Sequence, residues 1–256
     1  MGYGFDLWEW ASESQLQGWH NYMHAHMGWS HYLGARSQKN ELSQLYEGMD
    51  YSSYEQHRPD YNKYVETIEA RPSKPSFSED RFRVRDEGRD KDYNMEDTRR
   101  GLWDSTMAGG IANIWGHLLN SPSSGAPSGG EASGPYPKPE WIKTWAEFFD
   151  GRFLRDMVRA NSITNGVCLK HPNNTQFVFY KESTSSIQMN LTTMSGAQRA
   201  VAVDAKLPYL EIDMGKLTAS EHTWIAPYDS DWAIAVGEFR QNLNPPVAPT
   251  NLRLVQ

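Results

Sequence analysis

The stretch Trp8-Glu9-Trp10-Ala11-Ser12-Glu13 decides how this chain is expected to fold. It follows an apolar segment, residues 3–8, whose composition is typical of a buried parallel strand. The residues Ser12-Glu13-Ser14-Gln15 have the pattern of a helix cap, and apolar residues then recur at helical spacing from Leu16 to Met27. A strand that reaches a carboxylate and passes at once into a helix predicts a β-α unit of a parallel sheet.

Strand and helix patterns alternate through the first half of the chain. We predict strands over residues 32–36, 49–54, 74–78 and 110–115, and helices over residues 61–70, ended by Pro72, and 95–108. Such alternation indicates a parallel sheet or barrel. A complete (β/α)8 barrel takes roughly 250 residues, and this segment supplies only about five strand positions. The sequence therefore predicts a partial (β/α)8 barrel.

Two glutamates stand at the ends of predicted strands. Glu13 follows the first strand, and the short strand Pro75-Ser76-Phe77-Ser78-Glu79 ends in the second. Barrel enzymes carry their active sites at the carboxyl ends of the strands, so both side chains are expected on one rim. A pair of carboxylates in one cleft is what retaining hydrolysis of a glycosidic bond requires, and this chemistry needs no cofactor. Glu9 competes for the first site, but its tryptophan neighbours favour a structural role.

The second half of the chain changes to short segments with period-two alternation, separated by turn residues. These segments are residues 167–170, 176–181, 187–191, 199–204, 209–214, 223–226 and 232–236. Seven such segments indicate a small antiparallel β-sandwich. The predicted fold class is therefore α/β plus all-β.

The domain boundaries follow from these patterns. We expect a barrel-like domain over residues 1–160, with a Ser-, Gly- and Pro-rich flexible loop at residues 121–138 and a helix at residues 139–149. The sandwich is expected over residues 161–240. The tail, residues 241–256, is opened by prolines and resembles the start of a fibronectin type III module. Both ends of the sequence therefore indicate cuts within a longer parent protein.

Charge and composition exclude several classes of protein. The net charge of −7 and an isoelectric point near 5.6 argue against a nucleic-acid partner, because phosphate backbones attract clustered Lys and Arg. No stretch approaches the run of about 20 apolar residues that a spanning helix needs, so no membrane partner is expected. The single cysteine, Cys168, lies in an apolar strand pattern and is expected to be a buried, inert thiol.

His20 and His24 have the i, i+4 spacing on a predicted helix that zinc sites use. The sequence contains no HExxH motif and fixes no third ligand, so solvated imidazoles on a helix surface are the favoured interpretation. The sequence therefore predicts no metal site.

The order of four segments is similar to that of a known family. The segments are Trp8-Glu9-Trp10-Ala11-Ser12-Glu13, Pro75-Ser76-Phe77-Ser78-Glu79, Arg100-Gly-Leu-Trp-Asp-Ser-Thr-Met-Ala-Gly-Gly-Ile-Ala-Asn-Ile-Trp-Gly-His117 and Asp229-Ser-Asp-Trp-Ala-Ile-Ala-Val236. Over nearly the whole chain this order resembles the apiosidase-like glycoside hydrolases. In that family a clan-A-type barrel precedes a β-sandwich of the collagen-binding type.

The resemblance implies roles for individual residues. Glu13 would be the acid/base at the end of the fourth barrel strand and Glu79 the nucleophile at the seventh, so that the chain holds about strands 4 to 8. The family has an Asn that bonds the sugar 2-hydroxyl where this chain has Ser12.

Further substrate contacts are expected from two other strand ends. Trp115 and His117 belong to the eighth strand of the resemblance, where a flat ring can stack on a sugar and an imidazole can bond a hydroxyl. Tyr54 and His57 stand at the predicted sixth strand end. Core packing is the alternative for the aromatic residues.

Two functions follow as hypotheses. The first is a fragment of a retaining glycoside hydrolase with a carbohydrate substrate. The second is a catalytically silent carbohydrate-binding or structural module, expected to form a homo-oligomer because exposed edges of a parallel sheet favour self-association. The family analogy implies an exported parent protein. This chain has no signal-peptide pattern of its own, so its compartment is not indicated.

Overall fold

The structure is a computed structural model that describes residues 11–28, 32–34, 48–54, 59–84, 95–110, 112–117, 138–152 and 156–239. It describes the backbone alone for residues 52–54, 77–84 and 112–117. The helices in these ranges are α1 (Glu13–His26), α2 (Tyr61–Ala70), α3 (Met95–Met107), α4 (Pro139–Phe149) and a short 3-10 helix (Asn161–Ile163). None of the described helices has both the length and the apolar character needed to cross a bilayer.

The strands of the described residues form two sheets. The strands are β1 (Ser52–Tyr54), β2 (Ser76–Val84), β3 (Ala112–His117), β4 (Val158–Arg159), β5 (Val167–Lys170), β6 (Phe177–Asn190), β7 (Gln198–Asp204), β8 (Ile212–Leu217) and β9 (Glu221–Val236). One sheet has the order β1-β2-β3, and the other has the order β4-β5-β6-β9-β7-β8.

The first sheet is parallel, as the alternating sequence pattern predicts. Helix α2 connects β1 to β2, and α3 connects β2 to β3, so each neighbouring pair of strands is one β-α-β unit. Both predicted helices are confirmed. The side chain of Asp60 caps α2 by accepting hydrogen bonds from the first-turn backbone. Gly109, at a φ of 101°, ends α3, and Gly110 donates to the carbonyl of Ser105 in the manner of a Schellman motif.

Strand β2 differs from the sequence prediction. The sequence predicts that this strand ends at Glu79 and that a charged loop follows, but the strand continues to Val84. Its pairing with β3 shifts in register between Ser78 and Phe82 and then resumes. Backbone hydrogen bonds sustain the extension, and Phe82-Arg83-Val84 retains the period-two alternation of a strand. Glu79 therefore lies at an irregularity inside β2.

The second sheet is antiparallel and has fewer, longer strands than the sequence predicts. Strand β6 covers the segments predicted at 176–181 and 187–191, and β9 likewise joins two predicted segments. The polar residues between them suggest a turn, but they form an irregularity within the strand. At its centre Ser183 has a φ of 44°, and its N–H donates to the carboxylate of Asp231 at 2.7 Å.

The bent antiparallel sheet has a buried core on each face. The first core contains residues from both ends of β6: Phe177 and Phe179 from its beginning, and Ile187 and Met189 from its end. Helices α3 and α4 cover the opposite face. The second core is formed by Trp103, Met107, Phe148, Phe149, Leu169, Val178, Tyr180, Val201, Val203, Ala205, Ala233 and Ala235. One face of the antiparallel sheet is thus covered by α3, which connects β2 to β3, and by α4.

Helix α3 is the most buried helix in the described part of the chain, with ten of its 13 residues buried. Its Arg99 forms an ion pair with Asp231 of β9, and each side chain is 1% exposed. Arg99 also donates to the hydroxyl of Tyr180 at 3.2 Å and pairs with Glu96 at 2.5 Å. Burial lowers the pKa of Arg99, but these partners outweigh it and raise the pKa above its usual value. The guanidinium therefore stays charged inside the protein.

We predict that Trp103→Ala lowers the free energy of unfolding by about 3–5 kcal/mol, because the ring is wholly buried and its removal leaves a cavity. The indole stacks on Tyr180 with 4.9 Å between ring centroids and lies 5.2 Å from Phe148. Urea denaturation followed by far-UV circular dichroism measures the change. Trp19 of α1 is 45% exposed, so Trp19→Ala should change the free energy by less than about 0.5 kcal/mol. Equal effects of the two substitutions would contradict this description of the core.

Candidate active site

The predicted site residues of the parallel sheet lie on three neighbouring strands. Tyr54, the last residue of β1, is the register partner of Ser78, and Ser78 is the partner of Asn113 in β3. Glu79 directly follows Ser78. Parallel strands that run side by side bring residues at the same register to one level of the sheet. The backbones of Tyr54 and Glu79 are therefore close to each other near the carboxyl end of β1.

Trp115 and His117 lie further along β3. Their register partners in β2 are Phe82 and Val84. The side chains of residues 52–54, 77–84 and 112–117 are outside the described part, as are His57 and the strand expected at residues 3–8 together with Glu9. Whether these residues share one pocket stays a prediction.

Glu13 is the first residue of α1, and its side chain is exposed. The predicted cap of this helix is confirmed. Ser12 accepts a hydrogen bond from the backbone N–H of Gln15, and the Gln15 side chain accepts one from the backbone N–H of Ser12 at 2.8 Å. The Ser12 hydroxyl also lies 3.0 Å from the hydroxyl of Ser14. The substrate contact predicted for Ser12 would have to coexist with this capping role.

A cleft of about 380 Å³, which the sequence does not predict, lies between the N-terminal end of α2, helix α3 and strands β5 and β6. Asp104 and the ion pair between Arg100 and Glu182 line it. Arg100 Nε donates to both carboxylate oxygens of Glu182, at 3.0 and 2.8 Å. The i, i+4 spacing of Arg100 and Asp104 on a predicted helix was the available signal in the sequence. Glu182 lies on β6 of the antiparallel sheet, 82 positions from Arg100, and no sequence pattern indicates that the two meet.

Asp104 is the most perturbed carboxyl group of this cleft. Burial raises its pKa to about 8, and the charge of Glu182 raises it too, whereas Arg100 and Arg99 act in the opposite direction. The folded protein therefore holds Asp104 protonated at neutral pH. A neutral carboxylic acid can donate a hydrogen bond or a proton, which ionised carboxylates cannot do.

A larger cleft of about 990 Å³ lies elsewhere, at the C-terminal end of α4 and against β7 and β9. The polar side chains in it include Arg152, which donates to the hydroxyl of Tyr209 at 3.0 Å and pairs with Glu211. None of its described lining residues belongs to β1, β2 or β3. Its size alone therefore does not make it the candidate for the predicted chemistry.

Two solved structures with a similar fold are described as glycoside hydrolases. One, described as a glycoside hydrolase, has a TM-score of 0.65 and 14% sequence identity over 81% of this chain and 57% of that chain. A glycoside hydrolase family 5 structure from Bacteroides vulgatus ATCC 8482 has a TM-score of 0.67 and 16% identity over 85% of this chain and 57% of that one. This chain thus spans a little over half the length of either structure, and it has a glycoside hydrolase-like fold.

No protein-family model matches the sequence, and no curated protein matches it.

We predict that Asp104→Asn weakens the pH dependence of stability between pH 5 and pH 8. The unfolded chain ionises this carboxyl near pH 3.8, whereas the folded protein retains the proton up to about pH 8. Stability from this group is thus complete below pH 3.8 and is lost as the pH rises towards 8, by about 1.4 kcal/mol for each pH unit at most. Asn cannot ionise, so the variant lacks this decline.

Free energies of unfolding at pH 5, 6.5 and 8 measure the effect. The exposed Asp213 offers a matched control, because Asp213→Asn should follow the parent protein at every pH. An Asp104→Asn variant with the same pH profile as the parent would contradict a raised pKa at Asp104.

Proposed function

We propose that this chain is the C-terminal part of a retaining glycoside hydrolase, with Glu13 as general acid/base and Glu79 as nucleophile. The observation that carries the proposal is the likeness of the fold to two glycoside hydrolase structures. The parallel register supports it further, because Glu79 follows the register partner of Tyr54 on the adjacent strand. Barrel enzymes carry their chemistry at the carboxyl ends of the strands, and Glu79 lies level with the carboxyl end of β1, although β2 itself continues to Val84.

The proposed reaction has two steps. In the first, Glu79 attacks the anomeric carbon while Glu13 donates a proton to the leaving oxygen, and a glycosyl ester of Glu79 forms. In the second, Glu13 takes a proton from a water molecule that attacks the same carbon and releases the sugar. The two carboxyl groups must lie about 5–5.5 Å apart in a retaining pair. Each step inverts the anomeric carbon, so the product keeps the configuration of the substrate.

The remaining parts of the proposal concern organisation and substrate. Ser12, Tyr54, His57, Trp115 and His117 are proposed to contact the sugar. Residues 1–160 would form about strands 4 to 8 of an apiosidase-like (β/α)8 barrel, residues 161–240 the accompanying β-sandwich, and residues 241–256 the start of a fibronectin-type module. Helices α2 and α3 each join neighbouring parallel strands in sequence order, which supports the barrel topology.

We predict that Glu79→Gln abolishes turnover of aryl glycosides, because an amide cannot form the glycosyl ester. Glu13→Gln should lower kcat/KM, which reports the first step, by about 10²–10⁴-fold on substrates with a poor leaving group and much less on dinitrophenyl glycosides, which need little protonation. On dinitrophenyl glycosides kcat should still fall, because the second step loses its base. The rates are measured on a panel of aryl glycosides that pairs each sugar with both kinds of leaving group.

Glu140 provides the matched control, because it too is an acidic residue in the first turn of a helix. Glu140→Gln should leave every rate unchanged. Turnover that survives Glu79→Gln would exclude Glu79 as the nucleophile, and equal losses of kcat/KM on both leaving groups would exclude Glu13 as the acid.

A silent module that self-associates is the second candidate. It is favoured by the observation that the chain spans 57% of each matched structure and that the described parallel sheet has three strands, whereas a closed barrel has eight. Sedimentation of the purified chain distinguishes the two. A dimer that binds oligosaccharides without hydrolysing them would support this function, and a monomer that turns over aryl glycosides would contradict it.

A further inference from the structure

Three potential metal ligands from two separate segments meet beside helix α1. His20 and His24 lie one helical turn apart on the same face, with 4.4 Å between their ring centroids. Asp50 comes from the segment that leads into β1. Its Oδ2 lies 3.2 Å from His20 Nε2 and 2.7 Å from His24 Nε2. The sequence could not reveal this third group, because 26 positions separate Asp50 from His24.

The spacing of the three donor atoms suits a small cation. All three lie within 4.8 Å of one another. Zinc bonds to imidazole nitrogen and carboxylate oxygen are about 2.0–2.1 Å long, so ligand atoms around a tetrahedral zinc ion are about 3.3 Å apart. The 3.2 Å distance from His20 to Asp50 matches that separation. The 2.7 Å distance from His24 to Asp50 is a hydrogen bond, which a bound ion would replace as the two atoms move apart by about 0.6 Å.

The carboxylate of Asp50 is oriented by a second contact. The backbone N–H of Leu33 donates to Oδ2 at 2.8 Å. Burial raises the pKa of Asp50, but the hydrogen bonds from Leu33 and His24 and the nearby imidazoles outweigh it and hold the pKa below its usual value. Hydrogen bonds to a ligating carboxylate are typical of metal sites, since they fix the direction of its lone pairs.

We propose that His20, His24 and Asp50 form a binding site for a divalent transition-metal ion, of which Zn²⁺ fits best. Two imidazoles and one carboxylate select first-row transition metals over Ca²⁺ and Mg²⁺, which take oxygen ligands. His24 is partly exposed, so a water molecule can fill the fourth position. A bound ion would link α1 to the segment before β1, because its ligands come from both. This site does not depend on the proposed hydrolase function.

Co²⁺ is the spectroscopic probe, because its visible d–d absorption reports coordination. The metal-free full chain should take up one Co²⁺ per molecule, and Zn²⁺ should displace it. His24→Gln and Asp50→Asn should each weaken Co²⁺ binding by at least about 100-fold, more than the loss caused by removing an outer partner. His26 provides the matched control. It lies in the same helix turn, but its ring stacks on Tyr22 and is not part of the cluster, so His26→Gln should bind Co²⁺ as the parent does.

A cysteine substitution tests ligation even where other variants lose stability. His24→Cys should add a thiolate-to-Co²⁺ charge-transfer band in the near ultraviolet, whereas His26→Cys should not. The parent chain should contribute little thiolate-to-Co²⁺ absorption of its own, because its one cysteine, Cys168, is buried. The proposal is overturned if the parent takes up no Co²⁺, if binding is indifferent to His24→Gln and Asp50→Asn, or if both cysteine variants give the same spectrum.

Discussion

The buried ion pair between Arg99 and Asp231 is the contact on which the described arrangement depends. Two charges withdrawn from water to this extent need close counter-charges. Separating them would leave Arg99 with only the half-exposed Glu96 and Asp231 with only Lys206 at 3.5 Å. Arg99 belongs to α3, which also contacts β2 and β3, and Asp231 belongs to the antiparallel sheet. The pair therefore fixes the parallel strands relative to the second sheet. Aromatic stacking of Trp103 on Tyr180 adds the apolar part of the same interface.

Burial and the charges along this interface explain why one carboxyl group is neutral. Arg100 pairs with Glu182, Arg99 pairs with Asp231 and Glu96, and Lys206 lies 3.5 Å from Asp231. No ion pair between these cations and Asp104 is among the described contacts. Burial is the main cause of the raised pKa of Asp104, and the charges of Glu182 and Asp231 add to it, whereas Arg100 and Arg99 act in the opposite direction.

The sequence predicts well those features that neighbouring residues determine. The helices predicted at residues 61–70 and 139–149 match α2 and α4, where Asp60 caps the first and Pro139 begins the second, and the strand predicted at residues 176–181 lies in β6. The features that it misses depend on distant partners. The polar residues around Ser183 read as a turn, and they stay in the strand because Asp231 binds the backbone there. The contact of Asp50 with His20 and His24 of α1 is missed for the same reason, because it joins residues that are distant in the sequence.

Helix α1 differs from α3 in how it is held. Of its 14 residues only Leu16 and His20 are buried, and helices of this length are marginal in water when little apolar surface supports them. Its contacts to the segment before β1 are mainly polar, from His20 and His24 to Asp50. Glu13 is at the first position of the same helix, so any rocking of α1 about these contacts moves that carboxyl group. In the proposed mechanism Glu13 is the acid/base, and such a group must be held within about 0.5 Å of its productive position. For that mechanism we therefore expect the polar cluster two turns away to influence the position of the Glu13 carboxyl group.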